Sequence, residues 1–369
     1  MLIKNAMVFL NGRFERMDVR FQDRIEEIGN LSGDGLDASG KYLIPGLVDI
    51  HTHGAMGFDT CDAMNDGLNT MAAFYASRGV TSFCATSMTY DEPTLTDVMR
   101  TAGKFKGGKN TAKCVGINME GPFISPKKKG AQDAKNIYSP DIAMFERLNK
   151  AADGRIRIVD VAPETQGAME FIREASKIST VSLAHTAADY NTARDAFFNG
   201  ASHVTHLFNA MEPFLHRSPG VVGAAFDAGA FVEIICDGIH LHPSVIRAAF
   251  ALYGANRVCL VSDSMRSAGL PDGEYELGGQ PVYVKMGKAT LIDGTIAGSS
   301  TNVLTALQNC VAFGVPKEQA LLAATITPAC SIGLSSKIGS IERGKLADLI
   351  LTDENFNISK VFIEGRERA

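Results

Sequence analysis

Eight short runs of apolar, mostly β-branched residues recur along the chain. They lie at 42–50 (YLIPGLVDI), 80–87 (VTSFCATS), 114–119 (CVGINM), 156–162 (IRIVDVA), 180–184 (TVSLA), 202–207 (SHVTHL), 231–236 (FVEIIC) and 257–262 (RVCLVS). Runs of this length without polar alternation read as strands buried on both faces, as in a parallel sheet. Helix-like spacing separates most of them. Met64, Leu68, Met71, Phe74 and Tyr75 recur at three- and four-residue intervals within 64–78. The segment 139–150 opens on Ser139-Pro140-Asp141, a cap with proline in the first turn. The segment 243–253 opens on Pro243 and carries Val245, Ile246, Ala249 and Leu252. Eight strand–helix units over about 290 residues predict an α/β fold, a (β/α)8 TIM-type barrel. A doubly wound sheet is the alternative, because periodicity alone does not close a barrel.

The two ends carry a different pattern. Residues 1–30 alternate like short strands, and 346–369 holds two apolar runs, LADLIL and KVFIEG. Neither end is long enough for a core of its own. Together they predict a small β-sandwich beside the barrel, dividing the chain into 1–44 with 344–369 and 45–343. The segment 273–297, dense in glycine and β-formers, reads as a β-hairpin insertion after the eighth strand.

A chain of 369 residues has room for one large domain, or one large and one small. With 45% hydrophobic and 21% charged residues it is not a disordered chain. Thirty-six basic residues against 41 acidic leave a net charge of −5, which argues against a nucleic-acid binder or a polybasic membrane protein. No stretch reaches about 18 apolar residues, so no membrane span is expected. The start, Met1-Leu2-Ile3-Lys4-Asn5, lacks the basic-then-apolar pattern of a signal peptide. The seven cysteines are odd in number, widely spaced and without a Cys-x-x-Cys pair. They read as reduced thiols of a cytoplasmic protein.

The candidate chemistry lies at the ends of the runs. Of eight histidines, His51 and His53 end the first run, His185 ends the fifth, His206 lies in the sixth, and His240 follows the seventh. Glu120 ends the third run and Asp263 the eighth. In a barrel these ends meet at one face, where active sites are built. A single strand-end histidine is more often a satisfied structural residue than a ligand. The convergence of five histidines and two carboxylates is what a scattered structural set would not show. His-x-His also places two imidazoles on one side of a strand. Nitrogen and carboxylate donors suit zinc or iron, and manganese or cobalt less decisively. A divalent ion with an open position lowers the pKa of bound water to about 7. A carboxylate beside it can take and return the proton. The pattern predicts metal-assisted hydrolysis.

Other polar residues have plainer readings. His203 reads as structural or as support for a ligand, His216 as a loop residue beside Arg217, and His242 as part of a helix start. Lys127-Lys128-Lys129 reads first as a solvated face, and second as a patch that steers an anionic substrate. Asp59, Cys61 and Asp62 have no assigned role.

Pro45-Gly46-Leu47-Val48-Asp49-Ile50-His51-Thr52-His53-Gly54 resembles the opening of the amidohydrolase superfamily, and Ile341-Glu342-Arg343-Gly344-Lys345-Leu346-Ala347-Asp348-Leu349-Ile350 its closing segment. Between them stand Met119-Glu120-Gly121-Pro122-Phe123-Ile124, Ala184-His185-Thr186, Thr205-His206-Leu207-Phe208-Asn209-Ala210-Met211, Asp237-Gly238-Ile239-His240 and Val261-Ser262-Asp263. This ordered set is similar to the N-acetylglucosamine-6-phosphate deacetylase family within that superfamily. The resemblance implies the barrel with a β-sandwich from both termini, and a cytoplasmic homodimer acting on a small phosphosugar. The implied reaction converts N-acetyl-D-glucosamine 6-phosphate to D-glucosamine 6-phosphate and acetate, in amino-sugar catabolism.

The same resemblance implies roles. Glu120, His185 and His206 match metal ligands, and Asp263 the catalytic acid/base. His51 and His53 would hold a second ion bridged by Glu120, so one or two ions per subunit are expected. Ala131, Gln132, Asn209, Ala210, Arg217, His240 and the turn Ile296-Ala297-Gly298 match substrate contacts. Gln132 stands where some relatives carry histidine; it is a weaker electrophile, and a second metal would take over that work. The alternatives are a deacetylase for the galactosamine epimer, another amidase of the superfamily, or a non-catalytic scaffold. A dihydroorotase-like amidase would carry a lysine at the fourth strand end, where this chain has Val159-Asp160-Val161-Ala162-Pro163. A scaffold would be expected to lose Asp263 or a ligand, and all are kept.

Overall fold

In the computed structural model, which describes residues 1–107 and 110–368, the first apolar run serves two sheets. Tyr42–Pro45 pairs with strands from the chain's ends, whereas Leu47–Thr52 enters the barrel. The single strand expected over 42–50 is therefore two. The break falls at Gly46, where a Cβ would stand 2.1 Å from Thr81 Oγ1. Only glycine lets the chain pass the neighbouring strand this closely.

The barrel strands follow in chain order: β1 (Leu47–Thr52), β2 (Val80–Ser87), β3 (Lys113–Met119), β4 (Ile156–Val161), β5 (Thr180–Leu183), β6 (His203–Val204), β7 (Phe231–Ile235) and β8 (Val258–Val261). Each pairs in parallel with the next. Beyond β8 the ring is joined by the Asp263 N–H donating to the His51 carbonyl at 2.9 Å and by a parallel bridge between Thr52 and Ser264. That join rules out the doubly wound alternative, whose sheet stays open.

Alternation along the strands separates two cores. Phe83, Ile117, Val159, Val204, Val232 and Leu260 pack with helix residues such as Phe171, Ile172 and Ile246. Ile50, Cys84, Ile158, Ile235 and Cys259 pack instead with Ala329, Ile332 and Ile338. Helices stand where the periodicity places them, at Asn65–Ser77, Ile142–Ala151 and Pro243–Tyr253 among others. Asp141 caps the second of these, accepting from the Ala143 and Met144 N–H groups. Pro140 therefore precedes the helix rather than occupying its first turn.

Strands from both ends share one eight-stranded sheet around Ile3, Val8, Val19, Phe21, Leu43, Leu349 and Phe362. The insertion forms three antiparallel strands, Gly273–Leu277, Gln280–Lys285 and Lys288–Thr290. Its Leu277, Val282 and Val284 pack with Ala131, Met265 and Ala297, so it walls one side of the barrel mouth. No helix among the described residues is long and apolar enough to cross a membrane.

Candidate active site

His185, His206 and Asp263 each stand two residues past the end of a barrel strand, β5, β6 and β8. All three have left-handed backbones, with φ of 43°, 30° and 47°. Such a conformation costs a non-glycine residue about 1–3 kcal/mol and persists only where the surroundings enforce it, typically at functional sites. Glu120 follows β3 directly, and His51 and His53 lie at the end of β1.

These six side chains converge. Glu120 Oε1 lies 3.2 Å from His185 Nε2 and 3.1 Å from His206 Nε2, and the two imidazole nitrogens are 3.2 Å apart. On the other side, His51 Nε2 and His53 Nε2 are 3.3 Å apart. His53 Nε2 is 3.4 Å from Glu120 Oε2 and 3.3 Å from Asp263 Oδ1. Glu120 is thus common to two groups, with His51 and His53 and with His185 and His206.

The donor set fits a cation. His185 Nδ1 is 2.8 Å from the Lys128 carbonyl, which can only accept, so this nitrogen carries the proton and Nε2 is left as a bare lone pair. His51 Nδ1 is likewise 2.8 Å from Glu233 Oε2. The two free Nε2 atoms then face the Glu120 carboxylate and a second imidazole nitrogen. Lone pairs crowded against a carboxylate are stabilised by a positive ion between them, and a fixed Nδ1 partner is the usual support of a ligating histidine.

The carboxylates favour positive charge at this cluster, whether it is borne by protons on the rings or by an ion that takes the place of those protons. Burial lowers the pKa of His51, but the charges of Glu233 and Asp263 outweigh it and hold the ring well above its ordinary value. Burial raises Glu120, yet its close contacts with the His185 and His206 rings and the charge of His53 hold it well below the usual carboxylate range. Asp263 is lowered too: burial opposes, and the His51 charge and the His53 hydrogen bond prevail.

A cavity of about 410 Å³ opens over this cluster. Its wall includes His53, Glu120, Ala131, Gln132, His185, His206, Asn209, Ala210, His240, Asp263, Ile296 and Gly298. Ala297 is fully buried and packs into the core beneath the insertion. Arg217 is not on this wall. It lines a separate surface pocket, and its guanidinium lies 2.7 Å from His216 Nε2.

The lysine run is not simply a solvated face, since Lys127 and Lys128 line the cavity. Lys128 also reaches Glu212 at 3.0 Å, and its carbonyl holds His185. Glu233 carries no assigned role in the sequence reading, although a lone acid inside the apolar run FVEIIC was a signal for one. His203 contacts Glu233 at 3.3 Å, and His242 caps the helix that follows it. Asp59 caps the short turn Thr60–Asp62.

A family model described as the amidohydrolase family matches residues 42–368. The chain is 38% identical over 332 residues to the N-acetylglucosamine-6-phosphate deacetylase of Bacillus subtilis, covering 88% of this chain and 84% of that one. It is 33% identical over 330 residues to the N-acetylgalactosamine-6-phosphate deacetylase of Escherichia coli O157:H7, covering 88% and 87%. The crystal structure of the N-acetylglucosamine-6-phosphate deacetylase from Pasteurella multocida superposes with a TM-score of 0.93 at 29% identity, over 100% of this chain and 99% of that one. The barrel, its strand-end cluster and these matches agree, and the chain belongs to the amidohydrolase family.

Proposed function

We propose that the chain hydrolyses the N-acetyl group of N-acetyl-D-glucosamine 6-phosphate, releasing acetate and D-glucosamine 6-phosphate. The observation that carries this reading is the convergence of Glu120, His185, His206 and Asp263 on one cavity. The deacetylase relatives support the choice of substrate.

Glu120, His185 and His206 would hold one divalent ion, and His51 and His53 with Glu120 a second, zinc or iron before manganese or cobalt. Bound there, a divalent ion supplies Lewis acidity, lowering the pKa of water and polarising the amide carbonyl. Asp263, ionised and on the cavity wall, takes the proton of the attacking water. It returns that proton to the sugar nitrogen as the C–N bond breaks. Gln132 has its carbonyl bonded to the Thr89 N–H and one amide hydrogen bonded to Glu120. Its second amide hydrogen is left for the acetyl oxygen. His240 is fixed by Asp237 at 2.7 Å from its Nδ1, so Nε2 is free for a sugar hydroxyl. Lys127 and Lys128 supply positive charge for the phosphate, and Arg217 would serve it only by reaching a cavity whose wall it does not join.

Acetate release by metal-loaded protein tests the reading, with both epimeric phosphosugars as substrates. The Escherichia coli relative favours the galactosamine epimer as the second reading. Faster turnover of that epimer would replace the first assignment, and release from neither would overturn both. We further assign 1–44 with 344–369 to a small β domain and 45–343 to the catalytic barrel; Ala369 lies outside the described residues. A cytoplasmic homodimer completes the reading. Phe214 and Leu215, half exposed beside His216 and Arg217, are apolar surface that a partner chain would cover in such a dimer. Sedimentation of the purified protein tests the assembly.

A further inference from the structure

Glu233 lies in β7, a strand that contributes no residue to either candidate ion group. Its side chain is 0% exposed, the burial at which a carboxylate persists only when its oxygens are satisfied. They are. Oε2 accepts from His51 Nδ1 at 2.8 Å and from the backbone N–H of His206 at 3.1 Å. Oε1 lies 3.3 Å from His203 Nε2. The Glu233 carbonyl accepts from the next N–H along, that of Leu207, at 2.9 Å.

The two ligands touched by Oε2 belong to different groups. His51 stands with His53, and His206 with His185. Glu233 grips them differently. It holds the His51 ring through Nδ1, which aims Nε2 at Glu120. It holds His206 through the backbone, at the residue whose φ of 30° needs enforcing. The His206 ring has no hydrogen-bond partner at Nδ1 among the described residues, so its aim depends on that backbone. Two consecutive N–H groups of the turn after β6, at 206 and 207, end on Glu233.

We infer that Glu233 is a positioning residue common to both candidate ion sites, fixing the ring of His51 in one and the left-handed turn of His206 in the other. The inference rests on the metal-dependent reading of the cluster. Glu233→Gln keeps the shape but offers one acceptor oxygen in place of two. One acceptor oxygen becomes an NH2 donor, so either His203 or the pair His51 and His206 faces a donor where it had an acceptor.

The test is zinc binding to the metal-stripped full chain, by calorimetric titration against a competing chelator with elemental analysis of the product. Wild type, Glu233→Gln and His203→Leu are compared. His203 touches neither ion group; its substitution can reach His206 along β6, but it reaches His51 through Glu233, so an effect at the His51 site reports on Glu233. For Glu233→Gln the expected result is an affinity loss of about 10–100-fold at both sites, the usual effect of removing a ligand's support. His203→Leu should lose less, again at both. A purely structural role would lower the melting temperature and leave the affinity of the folded protein unchanged. Loss confined to one site, or absent, overturns the inference. If Glu233→Gln does not fold, unchanged zinc affinity in His203→Leu overturns it instead. A wild type that takes up no zinc would sink the metal-dependent reading as well, whereas wild-type uptake with unaltered variants sinks this inference alone.

Discussion

Gln132 and Glu120 are joined by a 2.6 Å hydrogen bond from the amide Nε2 to the carboxylate Oε2. The other end of the amide is held as firmly, its oxygen accepting from the Thr89 N–H at 2.8 Å. Gln132 therefore clamps the oxygen of Glu120 that faces His53. A residue expected only to touch substrate also braces a candidate ligand.

Gln132→Ala should lower both stability and metal content. It leaves the Glu120 oxygen and the Thr89 N–H buried without this partner, and each such loss costs about 1–3 kcal/mol. Calorimetry with elemental analysis checks it. Unchanged melting and stoichiometry would leave Gln132 a substrate contact only.

Asp263→Asn should keep the fold and the bound metal while lowering kcat at least ~10²-fold, the lower range for an acid/base group. Among the described residues, its carboxylate alone stands both on the cavity wall and outside the two candidate ion groups beneath it. Steady-state acetate release measures the effect, and near-normal turnover would remove Asp263 from the chemistry.

Two divalent ions per subunit are expected, with the ion at His51 and His53 the more exchangeable. His51→Asn with His53→Asn should lose one equivalent and reduce kcat without unfolding the chain. A firm wild-type stoichiometry of one, with no activity gained on adding metal, would falsify the two-ion reading.

Phosphate recognition separates two candidates. Lys127→Ala should raise KM for the phosphorylated sugar and spare plain N-acetylglucosamine, because Lys127 lines the cavity. Arg217→Ala, assayed beside it, should show the same selectivity only if that loop reaches the phosphate. Equal losses on both sugars would remove either residue from that role.

Gly46→Ala should destabilise the chain by about 1–3 kcal/mol through overpacking, since the new methyl would meet Thr81 at the junction of the two sheets. Chemical denaturation measures it. A stability equal to wild type would mean that Thr81 moves aside freely.

The sequence alone determined the barrel strands, the helices between them and the strand-end positions of the candidate cluster. Periodicity reports which side of an element is buried, and Glu120, His185, His206 and Asp263 needed only a strand end each to be placed. It could not divide 42–50, because the break at Gly46 follows from Thr81, a residue of the next strand. It could not separate Lys127 and Lys128, on the cavity wall, from Arg217, off it, because the course of a loop is decided by what it packs against. Ring closure between Asp263 and His51 and the left-handed turns after β5, β6 and β8 likewise exist only in the assembled barrel. Glu233 shows the limit most plainly. Its acid was visible in FVEIIC, but its partner His51 lies 182 residues away, and no local pattern carries a contact of that separation.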